Sequence, residues 1–458
     1  MLASIFDHFV EESPLTVMVR AIMERALAPE KLDELFEQTA QKQYTRELLF
    51  SDVVSVMSLV VFGIRPSVNA AYKALAKDIG VSKPAFYGKL NGLEPAVGQA
   101  LVRYSAAALT PVIEQLGGQA ESKLPGYPLK IVDGNSLEAT DHRLKVLRTI
   151  AAGPLPGKSL AVLDPQLMMT VDVFPCEDAY TQERALLPQL LERVSANQVW
   201  IGDRNLCTQG FFTGLAQKQA FFTIREHQNL PWQALEELRF VESLPTGDIF
   251  EQPVQMSYLG QTLTLRRVVV QLKQPTCDGD TEVVILTNLP QAVASAALVA
   301  QLYRGRWSVE GLFQIVTDLF HCELKSLGYP KAALFTFCMA LLAYNLFATL
   351  KAALRSVHGA GKIDAGLSDY YVAEEVRATY RGMMIALPAA QWERFSQMSL
   401  EHFCLNLQQW AARVSLQKFS SSPRGKKKET PPRIRDSKRC HVSTARLLAQ
   451  QQKAKQAP

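Results

Sequence analysis

A mixed α/β fold, with helical segments before and after a β-strand region, is what this 458-residue sequence predicts. Three observations predict it. Residues 1 to about 120 repeat apolar side chains at helical spacing. Beyond Leu129 the pattern changes to short apolar runs, and two of them, LKIVDG and QVWIGDRN, lead into an aspartate, Asp133 and Asp203. Residues 220–289 then carry β-branched runs between polar turns, after which helical spacing returns.

In chain order, helical spacing covers 13–28, 29–41, 47–62 and 95–116, with Ser13 and Pro14 suited to an N-cap and a first turn. Residues 71–93 have a helix-turn-helix pattern. Gly80 suits the turn, Ser82 an N-cap, Pro84 the first turn of the second helix, and Phe86 its inner face. Lys83, Tyr87 and Lys89 then face outward, toward DNA; a plain helical hairpin fits the same pattern. Strands are expected at 129–134, 159–163, 167–174 and 198–205, with an amphipathic helix over 179–194. FFTIREH, LTLRRVVVQL and EVVILTNL read as strands of an insertion.

The stretch 303–325, YRGRWSVEGLFQIVTDLFHCELK, reads as one helix. Helical spacing puts Tyr303, Arg306, Glu310, Gln314 and Thr317 on one stripe, and Val309, Phe313, Val316 and Phe320 on an apolar one. Taken alone, this reads first as a core helix with an Arg–Glu pair on its wet face. Residues 332–350 carry no charge and read as a buried core helix, with a membrane span as the alternative.

Composition narrows the class. Apolar content of 48% and charged content of 20% describe an ordinary globular chain. The net charge of +5 is uneven: from Ser420 onward eleven Lys or Arg face two Asp or Glu, which leaves −4 for the rest. Such a tail, disordered when free, suits a polyanion such as nucleic acid. Seven scattered cysteines without a C-x-x-C pair argue against a zinc site or a disulfide framework and fit a reducing cytosol. Asp7, Glu11 and Glu12 near the start argue against a secretory signal.

Two strand-end aspartates and a helical Glu310 able to pack beside them would repel one another without a cation. Oxygen donors suit Mg²⁺ or Mn²⁺, and a pair of such ions supports phosphodiester displacement. The segments IVDGN (131–135), IGDRN (201–205) and Y-x-x-R-W-x-x-E (Tyr303, Arg306, Trp307, Glu310) resemble the three catalytic blocks of DDE transposases from bacterial insertion sequences, in the insertion-sequence-four group. The resemblance runs from about residue 75 to 446 and includes LGYPKAALFTF (327–337) and HVSTARLL (441–448).

It implies an RNase H-like, retroviral integrase-like core over 121–215 and 296–360, interrupted by a β-rich insertion at 216–295. A helical DNA-binding domain (1–120), C-terminal helices (361–419) and a basic disordered tail (420–458) complete the chain. It also implies that Asp133, Asp203 and Glu310 form the catalytic, metal-binding triad, with Mg²⁺ or Mn²⁺ as cofactor. Tyr303 and Arg306 would contact phosphates, and Trp307 would hold the transposon end, with Arg204 and Asn205 as supporting candidates. The implied partners are double-stranded DNA, as terminal inverted repeats and target, and a second copy of the chain in the synaptic complex. The implied setting is the bacterial cytoplasm, at the nucleoid, and the activity is cut-and-paste transposition. One position departs: Thr317 stands where the family commonly has Lys, and Lys325 lies two turns further on. The alternatives are a catalytically inactive, transposase-derived DNA-binding regulator and, from 332–350, a membrane-associated helical protein.

Overall fold

Seven helices precede the first strand: α1 (Leu2–Glu12), α2 (Pro14–Ala26), α3 (Pro29–Thr39), α4 (Phe50–Val61), α5 (Val68–Ile79), α6 (Lys83–Gly92) and α7 (Pro95–Leu116). The computed structural model describes residues 2–276, 279–421 and 441–456. Helix α1 lies before the first segment with expected helical spacing. Ser13 precedes α2, but its hydroxyl lies 3.3 Å from the Thr379 hydroxyl instead of capping the backbone. The α5–α6 turn follows its sequence signals. Gly80 ends α5 at φ +71, Ser82 Oγ accepts from the Ala85 amide, and Phe86 is fully buried.

The strands are β1 (Leu129–Ser136), β2 (Gly153–Leu155), β3 (Lys158–Asp164), β4 (Met169–Cys176), β5 (Val199–Gly202), β6 (Phe221–Arg225), β7 (Gln233–Ala234), β8 (Arg239–Leu244), β9 (Gly247–Tyr258), β10 (Gln261–Leu272) and β11 (Glu282–Thr287). They make one mixed sheet in the order β4-β3-β1-β5-β6-β11-β10-β9-β7, with β8 also on β9; only β2 lies outside it. Strands β1, β5 and β6 are mutually parallel, and β3 and β4 run antiparallel beside β1. FFTIREH therefore continues the row of aspartate-bearing strands. The β-rich segment after it extends the same sheet through β11 and is not a sheet of its own.

Two further expectations are corrected. The helix over 179–194 is instead a 3₁₀ turn at Glu183–Leu186 followed by α8 (Leu187–Leu191). Pro188 explains this, since a residue without an amide hydrogen is accepted only in a helix's first turn. Helix α9 (Gln209–Gln217) then links β5 to β6. The single helix over 303–325 is broken. Helix α10 (Ala296–Arg304) ends in a 3₁₀ turn, Gly305–Trp307, and α11 (Ser308–Asp318) leaves from it. Gly305 is a weak helix former at the break, and beyond α11 His321 takes φ +44. The apolar stripe survives: Val309, Val316 and Phe320 are fully buried, joined by Leu312.

Helix α12 (Pro330–His358) is long and apolar enough to cross a membrane, yet 94% of its apolar window is buried inside the fold. It packs on α2, α4, α7 and β4. Asn345 fixes it there. Its Oδ1 accepts from the Thr170 amide at 2.8 Å, and its Nδ2 donates to the Thr170 carbonyl at 2.8 Å and to Ser105 Oγ at 3.0 Å. Helices α13 (Ala360–Gly366), α14 (Asp369–Ala386), α15 (Arg394–Gln397) and α16 (Leu400–Ala411) follow, and α14, α15 and α16 pack back against α2.

The basic tail does not end as expected. Residues 422–440, which carry most of its charge, lie outside the described residues. After them β12 (His441–Ser443) pairs in parallel with β2 and leads into α17 (Thr444–Gln456). Arg446 Nε meets Asp178 Oδ2 at 2.6 Å and stacks its guanidinium over Tyr180, while Ser443 and Thr444 are buried. Specific polar and packing contacts thus hold a segment whose composition alone suggested disorder.

Replacing Asn345 by Ala would leave two buried peptide groups of Thr170 without partners. We expect a loss of about 2–4 kcal/mol in urea unfolding; an unchanged midpoint would contradict this role.

Candidate active site

Sheet register builds the site. On the parallel pair β1 and β5, Val132 lies opposite Gly202. The next residues are Asp133 and Asp203, so the two carboxylates leave adjacent strands side by side. Gly202 is likewise opposite Ile224 on β6, which puts Arg225 next in the same row. A glycine beside each aspartate lets a neighbouring side chain pack closely against the backbone. A Cβ on Gly202 would collide with Leu206 Cδ1, and one on Gly134 with the Glu183 carboxylate. Asp203 opens a 3₁₀ turn at Arg204–Leu206, and its Oδ1 accepts from the Asn205 amide at 2.9 Å.

Arg306 projects into this corner from the turn between α10 and α11. Its Nη1 donates to Asp133 Oδ2 at 2.6 Å and its Nη2 to Glu310 Oε1 at 3.0 Å. The Arg306 side chain is only 12% exposed. Asp133 Oδ1 accepts from the Gly134 amide at 2.9 Å. Burial pushes the Asp133 carboxyl up to about 6; Arg306 opposes the rise, and the nearby charges of Asp203 and Glu183 add to it. Burial opposes the charge on Arg306, but Asp133, Tyr303, Glu310 and Asp203 together hold its pKa above the ordinary value.

The expected residues divide by exposure. Tyr303 is buried behind Arg306, and burial raises its phenol pKa. Its side-chain hydrogen bond is to Arg306, so it reaches the site through that guanidinium. Glu310 sits in the first turn of α11 and is 56% exposed, and Trp307 is 60% exposed. Lys83 is exposed at the start of α6. Tyr87 is half-buried, edge-on to Phe86. Lys89 does not point outward as expected. Its Nζ lies 3.8 Å from the centre of the Phe36 ring and donates to the Tyr44 carbonyl at 3.2 Å, because the loop before α4 folds over that face of α6. Thr317 and Lys325 are exposed, and the Thr317 hydroxyl lies 3.6 Å from Cys322 Sγ.

Glu183 was not singled out from the sequence. It begins the 3₁₀ turn before α8, lies against Gly134, and accepts from Asn205 Nδ2 at 3.1 Å. No motif marks it, and the helical periodicity of its surroundings concealed it. The carboxylate oxygens of this corner suit a hard divalent cation in kind. Among the described residues no three His, Cys, Asp or Glu side chains form a ready metal cage; the positive charge between Asp133 and Glu310 is Arg306.

Residues 125–346 match the family model described as a transposase DDE domain. A curated relative, "Putative transposase y4zB" of Sinorhizobium fredii, is 28% identical over 162 residues, which is 33% of this chain and 42% of that protein. The chain therefore aligns with less than half of that relative's length. A solved structure, a piggyBac transposase synaptic complex with hairpin DNA, aligns at 10% identity with a TM-score of 0.41, covering 87% of this chain and 84% of that one.

The raised Asp133 pKa has a signed consequence. A carboxyl that titrates near 6 when folded and near 3.8 when unfolded favours folding most below about pH 4. That contribution is lost as pH rises toward 6 and stays lost above it. Asp133→Asn should therefore gain on the wild type across pH 4–6, by on the order of 2 kcal/mol in metal-free unfolding. A difference independent of pH would contradict the shift.

Proposed function

We propose that the chain, whose residues 125–346 match the model of a transposase DDE domain, is a cut-and-paste DNA transposase of the insertion-sequence-four group. In this reading its sheet is an RNase H-like core that severs a transposon end and joins it to target DNA. The observation that carries the reading is Arg306, bonded at once to Asp133 and Glu310, with Asp203 in register beside Asp133. The sheet order supports it as well, since two antiparallel strands lie beside three parallel ones, of which the first two, β1 and β5, carry Asp133 and Asp203 at or just past the end of their parallel pairing.

Asp133, Asp203 and Glu310 would hold Mg²⁺ or Mn²⁺. Such a cation would acidify an attacking water or 3′-hydroxyl and neutralise the leaving oxygen. The chain's own part is to bind and align DNA. A phosphate can compete with the two carboxylates for the forked guanidinium of Arg306, which would free their oxygens. Tyr303, packed behind it, orients that guanidinium. Exposed Trp307 can stack on a displaced base, and exposed Lys83 on α6 can grip a backbone phosphate. The α5–α6 pair is the candidate reader of the terminal repeats, with Tyr87 at its edge. Two ends held together require two copies of the chain, acting on DNA in the bacterial cytoplasm. Thr317, in the place of a Lys, favours the second reading, an inactive DNA-binding regulator.

In Mg²⁺, with DNA bearing the sequences that flank the gene, the wild type should nick at the element's ends. Asp133→Ala, Asp203→Ala and Glu310→Ala should each lose cleavage by about a thousandfold while still binding DNA. Undiminished cleavage by these variants would refute the reading. End binding without any wild-type nicking, even in Mn²⁺, would favour the regulator.

A further inference from the structure

We infer that Glu183 is a positioning residue for the acidic centre, acting through Asn205 on Asp203; the inference rests on the transposase reading above. Asp203 stands at the start of a turn whose next two residues, Arg204 and Asn205, are exposed, and α9 does not begin until Gln209. Within the turn its carboxylate accepts one bond, from the Asn205 amide to Oδ1, beside the backbone bond from the Leu206 amide to its carbonyl. The turn is held from outside at two points. Leu206 is buried against Gly202, and Asn205 Nδ2 donates to Glu183 Oε2 at 3.1 Å.

Glu183 is itself fixed. It begins a second 3₁₀ turn, whose Leu186 is buried in the same apolar cluster as Leu206. Its other carboxylate oxygen occupies the space that a side chain on Gly134 would need, next to Asp133. One side chain thus touches the residue after Asp133 and the second residue after Asp203. It ties together two chain segments that share only a short parallel register. Such outer contacts govern how well ligand carboxylates are oriented, and their loss typically costs 10–100-fold in metal affinity or activity.

Mn²⁺ titrated into the full-length protein and followed by electron paramagnetic resonance tests this, alongside DNA-end cleavage and thermal unfolding. Glu183→Ala and Asn205→Ala should each weaken Mn²⁺ binding about 10–100-fold with little change in midpoint, and the double variant should be no worse than either single one. Glu183→Gln, which keeps an acceptor for Asn205, should stay within about threefold of the wild type. The inference is overturned if Glu183→Ala binds Mn²⁺ and cleaves as the wild type does, if Gln is as damaging as Ala, or if the two single losses add. The reading beneath it is tested separately by Asp133→Asn. Mn²⁺ binding unaffected by that change would sink the acidic centre itself, whatever Glu183 does.

Discussion

The guanidinium of Arg306, largely withdrawn from water, holds together parts of the chain that are far apart in sequence. It bonds Asp133 on the central strand β1 and Glu310 on α11. A buried cation is costly unless carboxylates surround it, and a buried carboxylate is costly unless a cation faces it. Asp133 and Arg306 therefore constrain each other. Arg306 lies in the 3₁₀ turn Gly305–Trp307, where it bonds Asp133 and, one turn on, Glu310, while Trp307 beside it is in solvent.

The sheet supplies the rest of the geometry. Parallel register sets Asp133 beside Asp203, and two glycines let neighbouring turns close over the strand ends. Beyond β6 the same sheet continues through β11 and the long hairpin of β9 and β10, so these strands are hydrogen-bonded in series with the strands bearing the acidic residues. Behind it, α12 runs through the core and is locked to β4 and α7 by Asn345. The far end of the chain returns through β12 to β2, and Arg446 ties it to Asp178, five residues before Glu183.

Much of this was legible in residue patterns. Short apolar runs marked β1, β3, β4 and β5, and Gly80, Ser82 and Pro84 marked the α5–α6 turn, because local backbone preferences govern those elements. What the pattern could not carry depends on tertiary contact. Nothing in the alternation of LTLRRVVVQL says which sheet it joins. Periodicity ran unbroken through Gly305 because an apolar stripe is indifferent to a one-turn tightening. Lys89 looked exposed until the loop at Tyr44 folded over it. Glu183 sits in a stretch with helical spacing that Pro188 prevents from being one helix. The tail's composition concealed His441–Leu448, which is held by a few specific contacts.

The most direct test of the central idea, that these carboxylates form one metal-binding centre on DNA, is anomalous diffraction from crystals of the protein with end-bearing DNA and Mn²⁺. The account predicts anomalous density bounded by Asp133, Asp203 and Glu310, with Arg306 turned from its carboxylate partners to a phosphate. Density confined to other side chains, with Arg306 still joined to Asp133 and Glu310 while DNA is bound, would contradict it.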